Sequence, residues 1–225
     1  ITGVAGEQAI INVYDNYAHL RGLQVDHGFS CLIRGFEKTI LFDTGSNGRI
    51  LLDNLQALGI APKKIDIVVL SHLHQDHLGG LPDLLEKNPH LPVYMPKSLL
   101  ISKEFNRFLR KYNFKAIGIT GPQKICEKVF TTGELGQDVR EQSLVLQSEQ
   151  GITIITGCAH PGILHIIQSV KKDYHLPILY VYGGFHLEAL PKAQILQIVK
   201  SFKESCVRYV SPTHCSGFEA MRIFK

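Results

Sequence analysis

The sequence has no closely paired cysteines, no long apolar run and no dense basic track. Its five cysteines are an odd number with no C-x-x-C pair, which argues against a disulfide framework and against a cysteine-rich zinc ribbon. We therefore expect a reducing compartment, the cytoplasm. No apolar stretch approaches the ~20 residues of a membrane helix, and no secretory signal pattern is present. We expect no membrane partner.

The charge balance is only mildly basic, with a formal net charge of +4 and a pI near 8.7. Lysine and arginine are dispersed, apart from short clusters such as Arg107, Arg110, Lys111 and Lys115. A solvated helix face explains that cluster as well as a binding site does. The pattern argues against a nucleic-acid partner and weakly favours an anionic small-molecule substrate.

Length and composition are typical of one globular domain. A chain of 225 residues that is 44% hydrophobic and 20% charged predicts a single domain over residues 1–225. It begins at Ile1 without an initiator methionine and ends at Lys225, so we expect residues to be missing at one or both ends. The sequence leaves the oligomeric state open.

Short β-branched segments alternate with helix-like runs, which predicts a layered α/β fold. The predicted strands are Ile10–Val13, Phe29–Arg34, Thr39–Phe42, Ile65–Leu70, Ile152–Thr156, Ile178–Tyr182 and Val207–Val210. The predicted helices are Arg49–Leu58, Leu81–Lys87, Ser98–Lys111, Ile163–Lys171 and Pro191–Ser205.

Four of the predicted strands run directly into histidine-containing segments. These segments read SHLHQDH, GCAH, GGFH and SPTHC, and they carry His72, His74, His77, His160, His186 and His214. A lone histidine at a strand end is more often a surface or core residue than a ligand. Because the carboxyl ends of neighbouring strands converge in α/β proteins, four such ends favour a shared metal site.

The segment SHLHQDH contains two potential half-sites. His72 and His74 are two residues apart, so in extended backbone they point the same way and can bind one ion. Asp76 and His77 follow where Gly79 and Gly80 suggest a turn, which would present them to a second ion nearby.

The pattern H-x-H-x-D-H after an apolar strand resembles the metallo-β-lactamase superfamily of binuclear metal hydrolases. The stretch ILFDTG, which contains Asp43, resembles the superfamily's early strand, whose aspartate sits behind the metals. The resemblance implies a four-layer αββα sandwich with the site at one sheet edge. It also implies one or two divalent ions, with zinc favoured and manganese or iron as alternatives. By position, His72, His74 and His160 would hold one metal, and Asp76, His77 and His214 the other.

Further motifs narrow the resemblance to one branch of metal-dependent hydrolases, which includes dihydropterin synthases. The motifs are Asp15-Asn16, His27-Gly28-Phe29-Ser30, Thr132-Gly133-Glu134, Glu141-Gln142, Gly157 to Gly162, Gly183 to His186 and Pro212 to Cys215. The branch implies hydrolysis of, or transfer from, a phosphorylated or diphosphorylated small molecule, with a dihydropterin diphosphate as one candidate. It does not decide between hydrolysis and diphosphate-releasing transfer.

One departure from the superfamily affects the metal site. Most members carry a metal-bridging aspartate after the strand that is Ile178–Tyr182 here, but this chain reads GGFHLE. His186 is the best substitute ligand and Glu188 a weaker one. With Asp76 as the remaining anionic ligand, either the second metal is weakly held or the site requires a strongly anionic substrate. Asp76 and His186 are thus the candidate catalytic residues. The alternative is a degenerate relative that binds a metal or small ligand without turnover.

Other residues near the motifs have weaker assignments. Cys158 and Cys215 flank two of the histidines and are thiolate ligands, redox-reactive thiols or packing residues, with packing the default. Asp43 is expected to orient a metal-binding histidine, and His27 to contact a ligand or the substrate. The segment 96–121 carries aromatic residues at near-helical spacing. This pattern is typical of a core but is also compatible with a helical lid over a flat ring.

Overall fold

The computed structural model describes residues 8–18, 20–110, 112 and 114–225, without the side chains of residues 104, 108 and 109. The chain divides into two compact units, an N-terminal unit (Ile1–Ile119) and a C-terminal unit (Thr120–Lys225). The prediction of one domain over residues 1–225 stays a prediction. Among the described residues, no helix combines the length and apolar character needed to cross a membrane.

The N-terminal unit contains one mixed six-stranded sheet and five α-helices among its described residues. Its strands are β1 (Ala9–Tyr14), β2 (Ser30–Arg34), β3 (Ile40–Phe42), β4 (Ile67–Val69), β5 (Pro92–Pro96) and β6 (Lys115–Ile119). Its helices are α1 (Gly48–Ala57), α2 (Gln75–Leu78), α3 (Leu81–Lys87), α4 (Lys97–Leu100) and α5 (Lys103–Leu109), with a short 3-10 helix at Pro62–Lys64. The strands lie in sequence order, antiparallel from β1 to β3 and parallel from β3 to β6.

Helix α1 is stabilised by a side-chain cap and by a buried apolar face. Asn47 caps it by accepting hydrogen bonds from the backbone of Arg49 and Ile50, which satisfies two amides that have no partner inside the helix. Leu51 and Leu55 lie one helical turn apart and are fully buried in the core beside the sheet.

The C-terminal unit holds a second mixed six-stranded sheet. Its strands are β7 (Gln123–Cys126), β8 (Val129–Thr131), β9 (Leu144–Ser148), β10 (Gly151–Thr156), β11 (Ile178–Gly184) and β12 (Tyr209–Thr213). Its helices are α6 (Ile163–Asp173), α7 (Lys192–Glu204) and α8 (Phe218–Ile223), with a 3-10 helix at His214–Ser216. The order is β12-β11-β10-β9-β8-β7, parallel from β12 to β10 and antiparallel from β10 to β7.

The register of the parallel strands brings the motif loops to one edge of each sheet. In the first sheet Phe42 pairs with Val69, so β3 and β4 end side by side. In the second, Thr156 pairs with Gly183, and Gly184 pairs with Thr213. The segments that follow β10, β11 and β12 therefore leave the second sheet at neighbouring positions.

The predicted helix Ser98–Lys111 is wrong as one continuous element. Helix α4 ends at Leu100, and Ser102 caps the separate α5 by accepting a hydrogen bond from the Phe105 backbone. Phe105 is buried in the core of the N-terminal unit, and Tyr112 and Phe114 pack against that core. Lys111 lies outside the described residues. A lid over residues 96–121 stays a prediction.

Candidate metal centre

In the N-terminal unit, the candidate ligands surround Asp43, a fully buried carboxylate just after β3. Its Oδ1 accepts the Ser71 backbone N–H at 2.7 Å, and its Oδ2 accepts the Ser71 hydroxyl at 2.7 Å. Oδ2 also accepts Nδ1 of His77 at 2.7 Å. Because a carboxylate only accepts, Nδ1 of His77 carries the proton, and the opposite nitrogen, Nε2, is the one available to a metal.

Ser71 passes this orientation on to His72. Its hydroxyl donates to Asp43, so Nδ1 of His72, 2.8 Å from the same oxygen, is the donor to Ser71. Nε2 of His72 then faces Nδ1 of His74 at a distance of 2.9 Å. The structure therefore brings one ring nitrogen of His72 and one of His74 next to each other, as expected for two imidazoles that bind one ion. The role of Ser71 was not predicted, because a serine before a histidine has no distinctive sequence pattern.

The electrostatics of His77 are dominated by burial and by Asp43. Burial disfavours the charged imidazole and acts to lower its pKa, but Asp43 and then Asp76 outweigh this effect and raise the pKa to about 10. Nε2 of His77 lies 3.4 Å from Oδ2 of Asp76. An imidazole and a carboxylate so placed form a donor pair typical of a divalent zinc or manganese site.

His27 contacts this pair from the loop before β2. Nδ1 of His27 lies 3.3 Å from the side-chain nitrogen of Asn16, which only donates, so Nε2 of His27 is the protonated atom in the neutral ring. Nε2 lies 3.2 Å from Oδ2 of Asp76. The arrangement matches a residue that orients a metal ligand, although His27 is largely exposed, at 67% of its side chain.

The two glycines after His77 form the expected turn, and they also allow close packing. His74 precedes α2, Gly79 and Gly80 both have right-handed helical φ and ψ angles, and α3 begins directly after them. A Cβ added at Gly80 would lie 2.2 Å from the carbonyl oxygen of Thr44. Thr44 in turn donates its backbone N–H to the His77 carbonyl at 2.7 Å. The glycine allows the Asp43 loop and the histidine loop to touch.

In the C-terminal unit, Glu141 fixes the loop that carries His160. This carboxylate is 1% exposed, and it accepts four consecutive backbone N–H groups: Gly157 at 3.1 Å, Cys158 at 2.9 Å, Ala159 at 2.8 Å and His160 at 2.9 Å. Charged acceptors make the stronger hydrogen bonds, so the loop after β10 is held rigidly. From the sequence, Glu141 was identified only as part of the motif Glu141-Gln142, and its role in holding the His160 loop was not predicted.

His186 and Cys158 lie next to His160 in the same unit. The rings of His160 and His186 have centroids 4.4 Å apart. One potential ligand atom from each of Cys158, His160 and His186 lies within 4.8 Å of the other two. A hydrogen bond with Cys215 is the main cause of a raised pKa at His186. His214 is not one of these three; it is fully buried at the end of β12.

Gly184 is the second glycine of the GGFHLE loop, and the backbone there has no room for a side chain. A Cβ there would lie 2.3 Å from the Gly157 carbonyl oxygen and 2.7 Å from Sγ of Cys215. The close approach of three segments leaves no room for an aspartate side chain on this backbone. Glu188, the weaker substitute, is exposed.

Four residues of the motif loops have left-handed backbone angles. Asp43, Ala159, His186 and His214 have φ values of 59°, 59°, 53° and 49°. Non-glycine residues adopt this region uncommonly and at an energetic cost, and such positions concentrate at functional sites. The backbone therefore departs from extended geometry in the loops that follow β3, β10, β11 and β12. Nothing in the sequence marked these four positions.

A cavity of about 540 Å³ opens beside His160 and His186. Its wall also contains Pro161, His165 and the segment 136–139, with Gln137 and Asp138 as polar groups. The donor set on both units consists of imidazoles, carboxylates and a thiol, which fits Zn²⁺ and similar divalent ions. The residues present therefore fit the implied cofactor.

Comparison with known proteins places these features in a family. Residues 23–173 match the Metallo-beta-lactamase superfamily. The chain is 28% identical, over 88% of its length and 83% of the relative, to the 7,8-dihydropterin-6-methyl-4-(beta-D-ribofuranosyl)-aminobenzene-5'-phosphate synthase of Methanocaldococcus jannaschii.

Solved structures agree with this result. A metal-dependent hydrolase of the beta-lactamase superfamily is 31% identical and has a TM-score of 0.82, covering 97% of this chain and 92% of its own. YhfI of Bacillus subtilis, a metallo-beta-lactamase fold protein, has a TM-score of 0.70 at 16% identity, with 96% and 92% covered, which supports the fold alone. The predicted fold class is confirmed, and the chain belongs to the metallo-β-lactamase superfamily.

Proposed function

We propose that the chain is a metal-dependent enzyme that acts on a phosphorylated or diphosphorylated small molecule. The ligands that we propose are His72, His74 and His160 for one divalent ion, and Asp76, His77 and His214 for a second. His186 is the further ligand that we propose in place of the absent bridging aspartate. Zinc is the favoured ion, with manganese or iron as alternatives. The assignment across the two units follows the superfamily pattern, and the hydrogen bonding inside each unit supports it.

The observation that carries the proposal is the network around Asp43. One buried carboxylate orients His77 directly and His72 through Ser71. In both rings Nδ1 is the nitrogen used by the network, so Nε2 is presented to a metal. Metal-binding histidines are usually held in this way, whereas histidines that only pack in a core need no such arrangement.

When bound, divalent ions neutralise phosphate oxygens and lower the pKa of coordinated water. The chain's own residues provide the rest. Asp43 and Ser71 hold the imidazoles, Asp76 supplies negative charge, and Glu141 keeps His160 in place. His186 lines the cavity, next to the place where a substrate would meet the metal.

The substrate class that we propose is an organic diphosphate such as a dihydropterin diphosphate. The named Methanocaldococcus jannaschii relative supports a pterin substrate, since its name contains a dihydropterin and an aminobenzene phosphate. In a hydrolase, water replaces the diphosphate. In a transferase, a second organic substrate replaces it, so the organic product distinguishes the two reactions.

The experiment is a turnover assay with and without metal. The protein is stripped with a chelator and incubated with dihydropterin methyl diphosphate, with and without the aminobenzene partner, and diphosphate release is measured. We expect activity to disappear on stripping and to return with Zn²⁺, Mn²⁺ or Fe²⁺. His74→Ala should abolish the metal-restored activity, whereas His90→Ala, at an exposed histidine outside the motifs, should retain it.

Full turnover by metal-free protein would overturn the proposal. Tight binding of the diphosphate with no product under any of the three metals would favour the alternative, a relative that binds its ligand without chemistry.

A further inference from the structure

Three side chains of the C-terminal unit that are chemically able to bind a metal converge, and two of them line the cavity. The Cys158 thiol and the imidazoles of His160 and His186 each have a donor atom within 4.8 Å of the other two. Zn–N and Zn–S bonds of about 2.1 and 2.3 Å place tetrahedral ligands about 3.5 Å apart. Small side-chain movements are therefore enough to bring all three onto one ion.

We propose that Cys158 is a metal ligand, and that its thiolate forms, with His160 and His186, a two-nitrogen, one-sulfur site for a thiophilic divalent ion such as Zn²⁺. The inference deepens the function proposed above and rests on it, because His160 and His186 belong to the proposed metal set. It changes the chemistry of that set by adding a sulfur donor.

The backbone that carries two of the donors is fixed before any metal binds. Glu141 accepts the N–H groups of both Cys158 and His160 at 2.9 Å, so the spacing between these residues is set by one carboxylate. Cys215 donates its thiol to the Cys158 carbonyl oxygen at 3.7 Å, and Gly184 lets this contact form. A prearranged donor set loses little conformational entropy on binding.

Charge supplies a second reason. The superfamily's bridging aspartate has no counterpart in the GGFHLE loop. A thiol that coordinates a metal loses its proton, which passes to solvent, and the thiolate adds one negative charge to the site. Cys158 thus provides part of the charge that the absent carboxylate provides in other members. Packing alone, the default for a cysteine that is 3% exposed, predicts no contact with metal.

The first test needs no variant. The full chain is loaded with zinc and its X-ray absorption fine structure is recorded at the zinc edge. We expect a sulfur shell at about 2.3 Å beside the nitrogen and oxygen shell at about 2.1 Å. A fit with nitrogen and oxygen alone would overturn the inference.

The second test identifies the sulfur. The full chain is loaded with Co²⁺, which gives a near-ultraviolet charge-transfer band when a thiolate coordinates it. Cys158→Ser should remove the band and weaken binding by at least about tenfold, the lower end of the cost of losing even an indirect contact to a metal ligand. Cys215→Ser is the matched control in the same loop cluster and should keep the band. Loss of the band in Cys215→Ser but not in Cys158→Ser would contradict the assignment.

The outcomes separate this inference from the proposed function. Metal-dependent turnover without a sulfur ligand would end the inference alone. A chain that binds no divalent ion would end both.

Discussion

At the scale of single residues, two buried carboxylates decide how the candidate ligands are presented. Asp43 accepts three hydrogen bonds around the histidine loop, and Glu141 accepts four from the His160 loop. The histidines and Asp43 could be chosen as candidates from the sequence, because their spacing after strands is distinctive. Ser71 and Glu141 could not be assigned, because their roles depend on contacts that the order of residues does not reveal.

Replacing Asp43 with asparagine should weaken metal binding by about 10–100-fold. An asparagine keeps one oxygen acceptor, but its amide nitrogen cannot accept from Ser71 or His77. The dissociation constant is measured by competition with a chromophoric chelator. Asp66→Asn is the control, since Asp66 is exposed and caps the Thr39 backbone at 2.8 Å. Equal affinities for both variants and the parent chain would contradict the role of Asp43.

Replacing Glu141 with glutamine should lower the free energy of unfolding by about 1–3 kcal/mol or more, because buried backbone N–H groups lose an acceptor. The effect is measured by denaturant titration of the metal-free protein. Glu149→Gln, at an exposed position, should change stability by less than about 0.5 kcal/mol. A Glu141 variant as stable as this control would show that the four hydrogen bonds do not hold the loop.

At the scale of elements, the site depends on where parallel strands end. The strands β1 to β4 and β10 to β12 were predicted within a few residues, because they are short, β-branched and bounded by polar or glycine residues. The strands β5 to β9 were missed: β5 begins and ends with proline, and β6 is mostly exposed, so neither shows a clear buried-strand pattern. Hydrogen bonding to neighbouring strands decides these cases, and it is not local in sequence.

Replacing Gly80 with alanine should destabilise the junction of α2 and α3. The new Cβ would meet the Thr44 carbonyl oxygen at 2.2 Å, a backbone atom that cannot move alone. We expect a loss of about 1–3 kcal/mol, the usual cost of overpacking. Thermal denaturation should show the loss, and Gly121→Ala, where an added Cβ meets nothing within 4 Å, should not. Equal melting temperatures would refute the close-packing account.

At the scale of the whole molecule, the two units share one plan. Each has a mixed six-stranded sheet, with three parallel strand pairs in the N-terminal unit and two in the C-terminal unit. Each unit places its motif loops after parallel strands. The alternation of strands and helices predicted the α/β class. Sheet order, and the left-handed turns at Asp43, Ala159, His186 and His214, emerged only from the folded structure.

Metal binding should stabilise the folded chain as a whole. At a free zinc concentration 1,000 times the dissociation constant, the gain is about 4 kcal/mol. For a chain of this size each kcal/mol shifts the melting temperature by about 2–4 °C. Differential scanning fluorimetry should therefore show a zinc-dependent rise that is smaller in a His72→Ala, His74→Ala double variant, which keeps the other proposed ligands. A rise as large as that of the parent chain would show that these two histidines do not contribute to binding.

The most direct measurement is elemental analysis of the purified protein combined with anomalous diffraction at the edge of the metal found. The account predicts at least one divalent ion per chain, with an anomalous peak at bonding distance from His72, His74 and His160. Protein without a divalent ion, or a peak remote from these imidazoles, would contradict it.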